Sequence, residues 1–238
     1  MTEPSQRIAI VIPIYNEQGI LHSAVVDLRE RLKPFNWEYQ IVLAENGSTD
    51  STVELAKDLS AKYEEVSYIS AGEPDYGKAL RTGILSTQAD YILCDEIDLC
   101  DTDFHARAIE ALSSGSADLV IGSKLIDGAT DDRPMLRHAA SHAYTTLLRW
   151  LLGFKGTDTH GLKAFRRDKL LPIVNACLVN KDVFASEMVI RAYRRELRVK
   201  EIPVRVVEKR PPSINLFSRV PNVLKSIAKL TWAIRIRG

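Results

Sequence analysis

The chain opens its pattern with an unbroken apolar run, Ile8-Ala9-Ile10-Val11-Ile12-Pro13, followed by Ile14 and three polar side chains, Tyr15, Asn16 and Glu17. A run of this kind predicts a strand buried on both faces. Pro13 has no N–H for a sheet ladder, so the strand is expected to stop or to stand at an edge there. Strand-like and helix-like segments then alternate. Gly19–Leu32 has helical period, with Leu21, Val25, Leu28 and Leu32 on one face. Tyr39–Ala44 reads as a second strand, and Ser51–Tyr63 as a helix capped from Thr49 to Ser51. Val66–Ser70, Tyr91–Cys94 and Leu119–Gly122 read as strands, Gly77–Ser86 and Phe104–Ser113 as helices. This rhythm predicts an α/β fold, a mainly parallel sheet with helices on both faces. Ligands of such sheets bind just past the carboxyl ends of the strands.

The second half has a different texture. Pro134 suits the first turn of a helix, expected over Met135–Leu152 and closed by Gly153. In that helix Trp150, Leu151 and Leu152 are expected in the core. A loop over Phe154–Gly161 leads to a strand at Leu162–Phe165, a helix over Glu187–Arg194 and a strand over Val199–Val207. Asn222–Ile236 reads as a basic amphipathic helix, with Val223, Ile227, Leu230 and Ile234 on one stripe and Lys225, Lys229 and Trp232 beside it. The expected organisation is one domain over residues 1–218 with an acceptor-side extension, and a helix over 219–238 packed on that domain or on a membrane surface.

The net charge of +1 argues against a nucleic-acid binder, but the charge is unevenly placed. From Arg191 to Gly238 there are 13 Lys/Arg and 3 Asp/Glu. A basic end on a nearly neutral chain suggests an anionic partner, either phosphate groups or a lipid surface. Cys94, Cys100 and Cys177 form no Cys-x-x-Cys pair, which suits a reducing, cytoplasmic compartment and argues against zinc. Met1–Arg7 has no signal-peptide pattern, and no apolar run approaches the ~20 residues that span a bilayer.

Two polar clusters follow strand ends. Glu45-Asn46-Gly47-Ser48-Thr49-Asp50 places an acid, a glycine turn and a helix cap in succession. A carboxylate there can accept from a ribose hydroxyl or a base N–H; the same residues also make an ordinary surface turn. In Cys94-Asp95-Glu96-Ile97-Asp98, Glu96 and Asp98 are two apart and share a side of an extended segment. Paired carboxylates suit Mg²⁺ or Mn²⁺, with phosphate oxygens completing the shell. Asp95 in place of Glu96, and Asp101-Thr102-Asp103, are rival registers, and a solvated acidic loop is the plain alternative.

With these features in order, the chain resembles family 2 glycosyltransferases of the GT-A fold. Gly122-Ser123-Lys124, Arg137–Ser141, Asp158-Thr159-His160-Gly161-Leu162-Lys163-Ala164-Phe165 and Val199–Val204 followed by Arg210 are similar to the dolichol-phosphate and polyprenyl-phosphate mannosyl- and glucosyltransferase branch, over roughly residues 7–217. The resemblance implies a nucleotide-sugar site formed by Pro13, Tyr15, Asn16, Glu17, Glu45, Asn46, Gly47, Ser48, Gly77, Lys78, Asp95 and Glu96. It implies a divalent cation on Glu96 and Asp98, and an acceptor-phosphate site from Lys124, Arg137, Ser141, His160, Glu187, Arg210 and Ser213. Asp98, Arg137 and Asp158 are the residues expected nearest the chemistry. The chain departs from the family where Glu96 replaces an Asp, Cys100 a Gln, Lys124 an Arg, and Pro211-Pro212 a Gly.

The implied reaction is inverting transfer of a hexose from a nucleotide diphosphate sugar, of GDP-mannose or UDP-glucose type, to a polyprenyl phosphate at a cytoplasmic membrane face. A phosphate acceptor carries its own charge and needs positive side chains rather than a strong base. A hydroxyl acceptor would need one of Asp131, Asp132, Asp158 or Glu187 as base. A glycan or small-metabolite acceptor, or a nucleotide-sugar-binding protein of low activity, are the alternatives. No Gly-x-Gly-x-x-Gly follows the first strand, which disfavours a dinucleotide enzyme. Sugar, base and oligomeric state are left open.

Overall fold

The computed structural model describes residues 6–131, 135–206 and 216–237. Its sheet is built from β1 (Arg7–Ile14), β2 (Glu38–Glu45), β3 (Val66–Ser70), β4 (Tyr91–Cys94), β5 (Leu119–Ser123), β7 (Lys163–Arg166) and β8 (Val199–Pro203), in the order β3-β2-β1-β4-β7-β5-β8. All pairings are parallel except those of β7, which runs antiparallel between β4 and β5. A second, two-stranded sheet pairs β6 (Thr130–Asp131) with β9 (Arg205–Val206). The strand expected over Val199–Val207 is therefore broken at Val204, whose N–H turns to the Ser123 carbonyl.

Pro13 does not end β1, because the strand is an edge there on one side only. β4 stays paired from Ile8 to Val11, and the last bond on that side runs from the Asp95 N–H to the Val11 carbonyl. β2 stays paired through Ile14. Along a parallel strand successive residues bond to opposite neighbours, so the missing N–H of Pro13 faces the side β4 has already left. This one-sided end opens a crevice between the tips of β1 and β4.

The alternating faces of β1 feed two cores. Ile8, Ile10, Ile12 and Ile14 pack with α1 (Leu21–Leu32), α2 (Thr52–Lys62) and α4 (Thr102–Ser113). Ala9 and Val11 face α3 (Tyr76–Ser86), α6 (Arg167–Ala176), α7 (Phe184–Arg194) and parts of α5 (Met135–Leu152) and α8 (Leu216–Arg235). The amphipathic stripe of α1 is buried as the period predicts. α6 has no counterpart in the sequence reading: Pro172 interrupts the short apolar run Leu170–Val174, of which Leu170, Ile173 and Val174 are buried. In α8 the apolar positions Ile227, Leu230 and Ile234 lie in the domain's own core. Trp150 corrects the expectation for α5: it is 86% exposed, whereas Leu148 and Leu152 are buried. Among the described residues no helix is long and apolar enough to cross a membrane.

Candidate active site

The loops leaving β1 and β2 are stitched together by side chains. Asn16 adopts φ 54°, which Asn tolerates better than most residues. Its Oδ1 accepts the Thr49 N–H at 2.8 Å, and its own N–H donates to Ser48 Oγ at 3.1 Å. The Glu17 N–H donates to Thr52 Oγ1 at 2.7 Å, and the Ser51 N–H to Gln18 Oε1 at 3.1 Å. The buried carboxylate of Glu45 accepts from the Ser48 N–H and, at 2.6 Å, from Ser70 Oγ. Asn46 Oδ1 accepts the Asp75 N–H. Asp75, which caps α3, accepts the N–H groups of Lys78 at 2.8 Å and Lys181 at 2.7 Å. Gly47 has φ +72°, and a Cβ there would lie 2.7 Å from the Glu73 carbonyl carbon. Gly77 lies so close to the turn at Lys181 that a Cβ would strike the Lys181 carbonyl and sit 2.7 Å from Phe184 Cβ. Asn16, Glu45 and Asn46 thus brace the loops. Tyr15 stands 43% exposed on the rim, and Lys78 reaches out to Glu73 at 2.7 Å.

The acids of the second cluster follow the tip of β4. Asp95 is buried, with Oδ2 2.5 Å from Nε2 of the fully buried His105 on α4 and Oδ1 accepting the Glu96 N–H at 2.6 Å. Among the described residues His105 Nδ1 has no hydrogen-bond partner, which fits the tautomer with its proton on Nε2. The carboxylate of Asp95, expected at the nucleotide sugar, is turned toward His105. The rival pair is also taken up, since Asp101 caps α4 by accepting from Asp103 and Phe104, and Asp103 pairs with Arg107 at 2.7 Å. Glu96 and Asp98 remain on the turn, which is closed by Leu99 and Cys100 N–H groups on the Glu96 carbonyl at 3.0 and 3.1 Å. Burial and the neighbouring Asp98 push the Glu96 carboxyl above the usual carboxylate range. Tyr76 Oη donates to Glu96 at 3.3 Å, and burial together with Glu96 pushes that phenol well above its ordinary value. Two repelling carboxylates of this kind fit a divalent cation. Among the described residues no group of three His, Cys, Asp or Glu surrounds one.

Across the crevice, β5 delivers Ser123 and Lys124. Lys124 Nζ meets Asp158 Oδ2 at 2.6 Å, and Asp158 Oδ1 accepts the N–H groups of His160 at 2.8 Å and Gly161 at 3.3 Å. Burial opposes ionisation of Asp158, but the Lys124 charge and these hydrogen bonds outweigh it and hold the carboxyl below its ordinary value. Gly161 presses on the Gly122 carbonyl with no room for a Cβ. Lys163 of β7 is 3% exposed and donates to the Gly161 carbonyl at 2.6 Å. Burial pushes its ammonium down, against the opposing pull of Cys94, Asp158 and Glu96. Helix α5 carries Ser141 and fastens the same loop. Thr145 Oγ1 donates to the Thr157 carbonyl at 3.0 Å, Tyr144 Oη and Thr159 Oγ1 both meet Ser186 Oγ, and the Tyr144 and His160 rings stand edge-on at 5.0 Å.

Among the described residues of the expected acceptor set, Glu187 lies deepest. It is fully buried, accepting the N–H groups of Leu178 and Val179 at 2.9 and 2.8 Å and Arg191 Nε at 2.8 Å, and it is a brace inside the core. The side chains of Arg137 and Asp131, and all of Asp132, Arg210 and Ser213, lie outside the described residues. Sequence reasoning passed over Lys163, His105, Asp75 and Tyr76. Lys163 left a signal, a lone cation in the apolar run Leu162–Phe165, and His105 another, a polar residue on the core-facing stripe of α4.

The description "Glycosyl transferase family 2" belongs to the family model that matches residues 9–172. A Haloferax volcanii protein named Glycosyltransferase AglD is 27% identical over 99% of this chain and 39% of its own length. Polyprenol monophosphomannose synthase of Mycolicibacterium smegmatis is 28% identical over 98% of this chain and 89% of its own. A Saccharomyces cerevisiae dolichyl-phosphate beta-glucosyltransferase is 27% identical over 83% of this chain and 66% of its own. The chain spans 39% and 47% of two Haloferax volcanii relatives. Among solved structures, glucosyl-3-phosphoglycerate synthase of Mycobacterium tuberculosis, in complex with Mn²⁺, UDP and its product, shares the fold at TM-score 0.67 and 17% identity, over 95% of this chain and 80% of that one.

Proposed function

Since the chain belongs to glycosyl transferase family 2, we propose that it transfers a hexose, with inversion, from a nucleotide diphosphate sugar of UDP-glucose or GDP-mannose type to a polyprenyl phosphate. The observation that carries this reading is the meeting of two charge clusters around β7. Glu96 and Asp98 stand at the β4 tip on one side, the Lys124–Asp158 pair on the other, and the buried Lys163 within electrostatic reach of both. The names of the relatives from Saccharomyces cerevisiae and Mycolicibacterium smegmatis support the lipid-linked acceptor.

In this reading the nucleotide lies over the β1 and β2 tips, against Pro13, the Tyr15 ring, Glu17, the Glu45–Ser48 turn and the Gly77–Lys78 start of α3. Glu96 and Asp98 would hold a divalent cation, Mg²⁺ or Mn²⁺, which when bound offsets the charge of the diphosphate. The acceptor phosphate is received by Lys124, Ser141 and His160, together with Arg137, Arg210 and Ser213. Its oxygen is already anionic, so the residues bind and aim it rather than deprotonate it. Asp158 then has a positioning role: it holds Lys124 and the backbone of His160 and Gly161 in place. The fixed loops of the donor side keep the sugar's anomeric carbon in line with that oxygen. The work is placed at the cytoplasmic face of a membrane.

The test is transfer of radiolabelled sugar from UDP-glucose and from GDP-mannose into an organic-extractable polyprenyl phosphate, with and without Mn²⁺. Extractable label that depends on one donor is expected. Label only in water-soluble glycans overturns the acceptor assignment, and absence of both transfer and thermal stabilisation by UDP or GDP overturns the donor assignment.

A further inference from the structure

Glu96 is the longer of the two side chains that carry carboxylates on the β4 turn, and it is held at both of its ends. Its N–H donates to Asp95 Oδ1 at 2.6 Å, and the other oxygen of Asp95 is held by His105 of α4 at 2.5 Å. Asp95 and His105 are both buried, so the backbone of Glu96 is fixed from inside the core. Its carboxylate is held from a different element. Tyr76, the first residue of α3, donates its hydroxyl to Glu96 Oε1 at 3.3 Å. One oxygen is thereby occupied, and Oε2 is the oxygen that can meet a cation.

Tyr76 is itself a fixed point, because the residues on either side of it are anchored. Asp75 before it accepts the Lys78 N–H at 2.8 Å and the Lys181 N–H at 2.7 Å, and gives its own N–H to Asn46 Oδ1. Gly77 after it has no room for a Cβ against the Lys181 carbonyl. The Tyr76 ring packs on the core that contains Cys94, Val183 and Phe184. A phenyl ring would fill the same space. What tyrosine adds is a hydroxyl, a group that costs free energy beside an apolar core unless it is hydrogen-bonded. Among the described residues that hydrogen bond goes to Glu96.

We propose that Tyr76 is a positioning residue matched to Glu96: its hydroxyl aims the longer carboxylate at a divalent cation, and so lets Glu stand where the family resemblance has Asp. The inference rests on the cation site of the function proposed above and adds the side chain that orients it. A glutamate has one more rotatable bond than an aspartate, and an unanchored carboxylate gives up that freedom when it takes a cation. A hydrogen bond from a fixed hydroxyl removes the freedom beforehand, which is how such outer partners raise metal affinity. The match is one of length. Shortening the side chain by one methylene draws its oxygen back by up to about 1.5 Å, and a contact that now measures 3.3 Å is then out of hydrogen-bond reach. Tyr76 serves a Glu at position 96 and not an Asp.

The test is a double-variant cycle on the full chain. It is read as Mn²⁺ binding, alone and with UDP or GDP, through loss of the electron spin resonance signal of the free ion. Tyr76→Phe, which keeps the ring, is expected to raise the Mn²⁺ Kd about tenfold. Aspartate is the family's own residue at position 96, so Glu96→Asp is expected to keep a measurable Kd. In that background Tyr76→Phe should change Kd less than about twofold, because the hydroxyl no longer reaches the carboxylate. Equal effects in the two backgrounds would trace the loss to the packing of α3 and overturn the proposal. Mn²⁺ that binds the parent chain but is indifferent to Tyr76→Phe overturns the positioning role alone. A parent chain that takes up no Mn²⁺ with either nucleotide overturns the cation site as well, so the two failures are told apart.

Discussion

The donor and acceptor sides of the crevice are held in different ways. On the donor side, neutral amides and hydroxyls and the carboxylates of Glu45, Asp50 and Asp75 tie loop to loop without a cation: Asn16 to Thr49, Thr52 to Glu17, Gln18 to Asp50, Glu45 to Ser48 and Ser70, Asn46 to Asp75, Asp75 to Lys181 N–H. On the acceptor side the tie is ionic and buried, Lys124 on Asp158, with Lys163 fastening the same loop. The difference teaches where each half is vulnerable. Short hydrogen bonds distributed over many residues lose little when one is cut, whereas a buried charge that loses its partner is left uncompensated. Glu96 and Asp98 stand apart from both as neighbouring carboxylates, Asp98 helping to push the Glu96 carboxyl above its ordinary range.

The comparison breaks most sharply at Asp98. Asp98→Ala is expected to lower kcat/KM for sugar transfer on the order of a hundred- to a thousandfold. Retention of activity within a few fold would remove Glu96 and Asp98 from the chemistry.

Lys124→Ala should cost about 3 kcal/mol of stability, because Asp158 stays buried without its cation. The double variant Lys124→Met with Asp158→Leu should recover most of the loss in melting temperature while transfer stays impaired, which separates packing from phosphate binding. The pair also sets a pH dependence. The Asp158 carboxyl lies below its ordinary value in the folded chain, so its contribution is complete above the unfolded value of ~3.9 and disappears as pH falls through the lower folded value. The acid limb of the stability profile below about pH 4 should therefore flatten in Asp158→Asn. An unchanged limb in urea titrations would show that the ion pair does not stabilise the fold.

The extent to which this division was legible in the sequence follows from locality. The donor strands are continuous apolar runs ended by polar residues, so their extent and the position of Tyr15, Asn16, Glu17 and Glu45 at or just past their ends could be read directly. What could not be read was which polar residues face inward. Asp95 and Glu96 are neighbours, and only the position of His105, ten residues on, turns one into the core. Glu187 looks like a reactive acid in sequence because the N–H groups that bury it lie in a turn eight and nine residues before it. Trp150 looks like core by composition, and only the packing of α8 on the other side of α5 leaves it outside. The family resemblance puts Gly77 near the donor, and the structure gives a steric reason for a glycine there. Gly77→Ala should push the start of α3 from the turn at Lys181 and cost about 1–3 kcal/mol, read as a lower urea midpoint with an unchanged slope.

The smallest expected effect probes the donor side at a single stitch. Thr52 Oγ1 accepts the Glu17 N–H at 2.7 Å and donates to Asp50 Oδ1 at 2.5 Å. Thr52→Val keeps the shape and removes both bonds, at a cost of about 1 kcal/mol. Because the neighbouring ties from Asn16 to Thr49 and from Gln18 to Ser51 remain, the loop should loosen rather than collapse. The expected result is a several-fold rise in KM for the nucleotide sugar with kcat held, since a looser loop weakens ground-state binding and leaves the acceptor side untouched. A fall in kcat with KM constant would mean that this loop acts on the transferring sugar itself, and the division between a hydrogen-bonded donor side and an ionic acceptor side would have to be drawn at β1 rather than at β7.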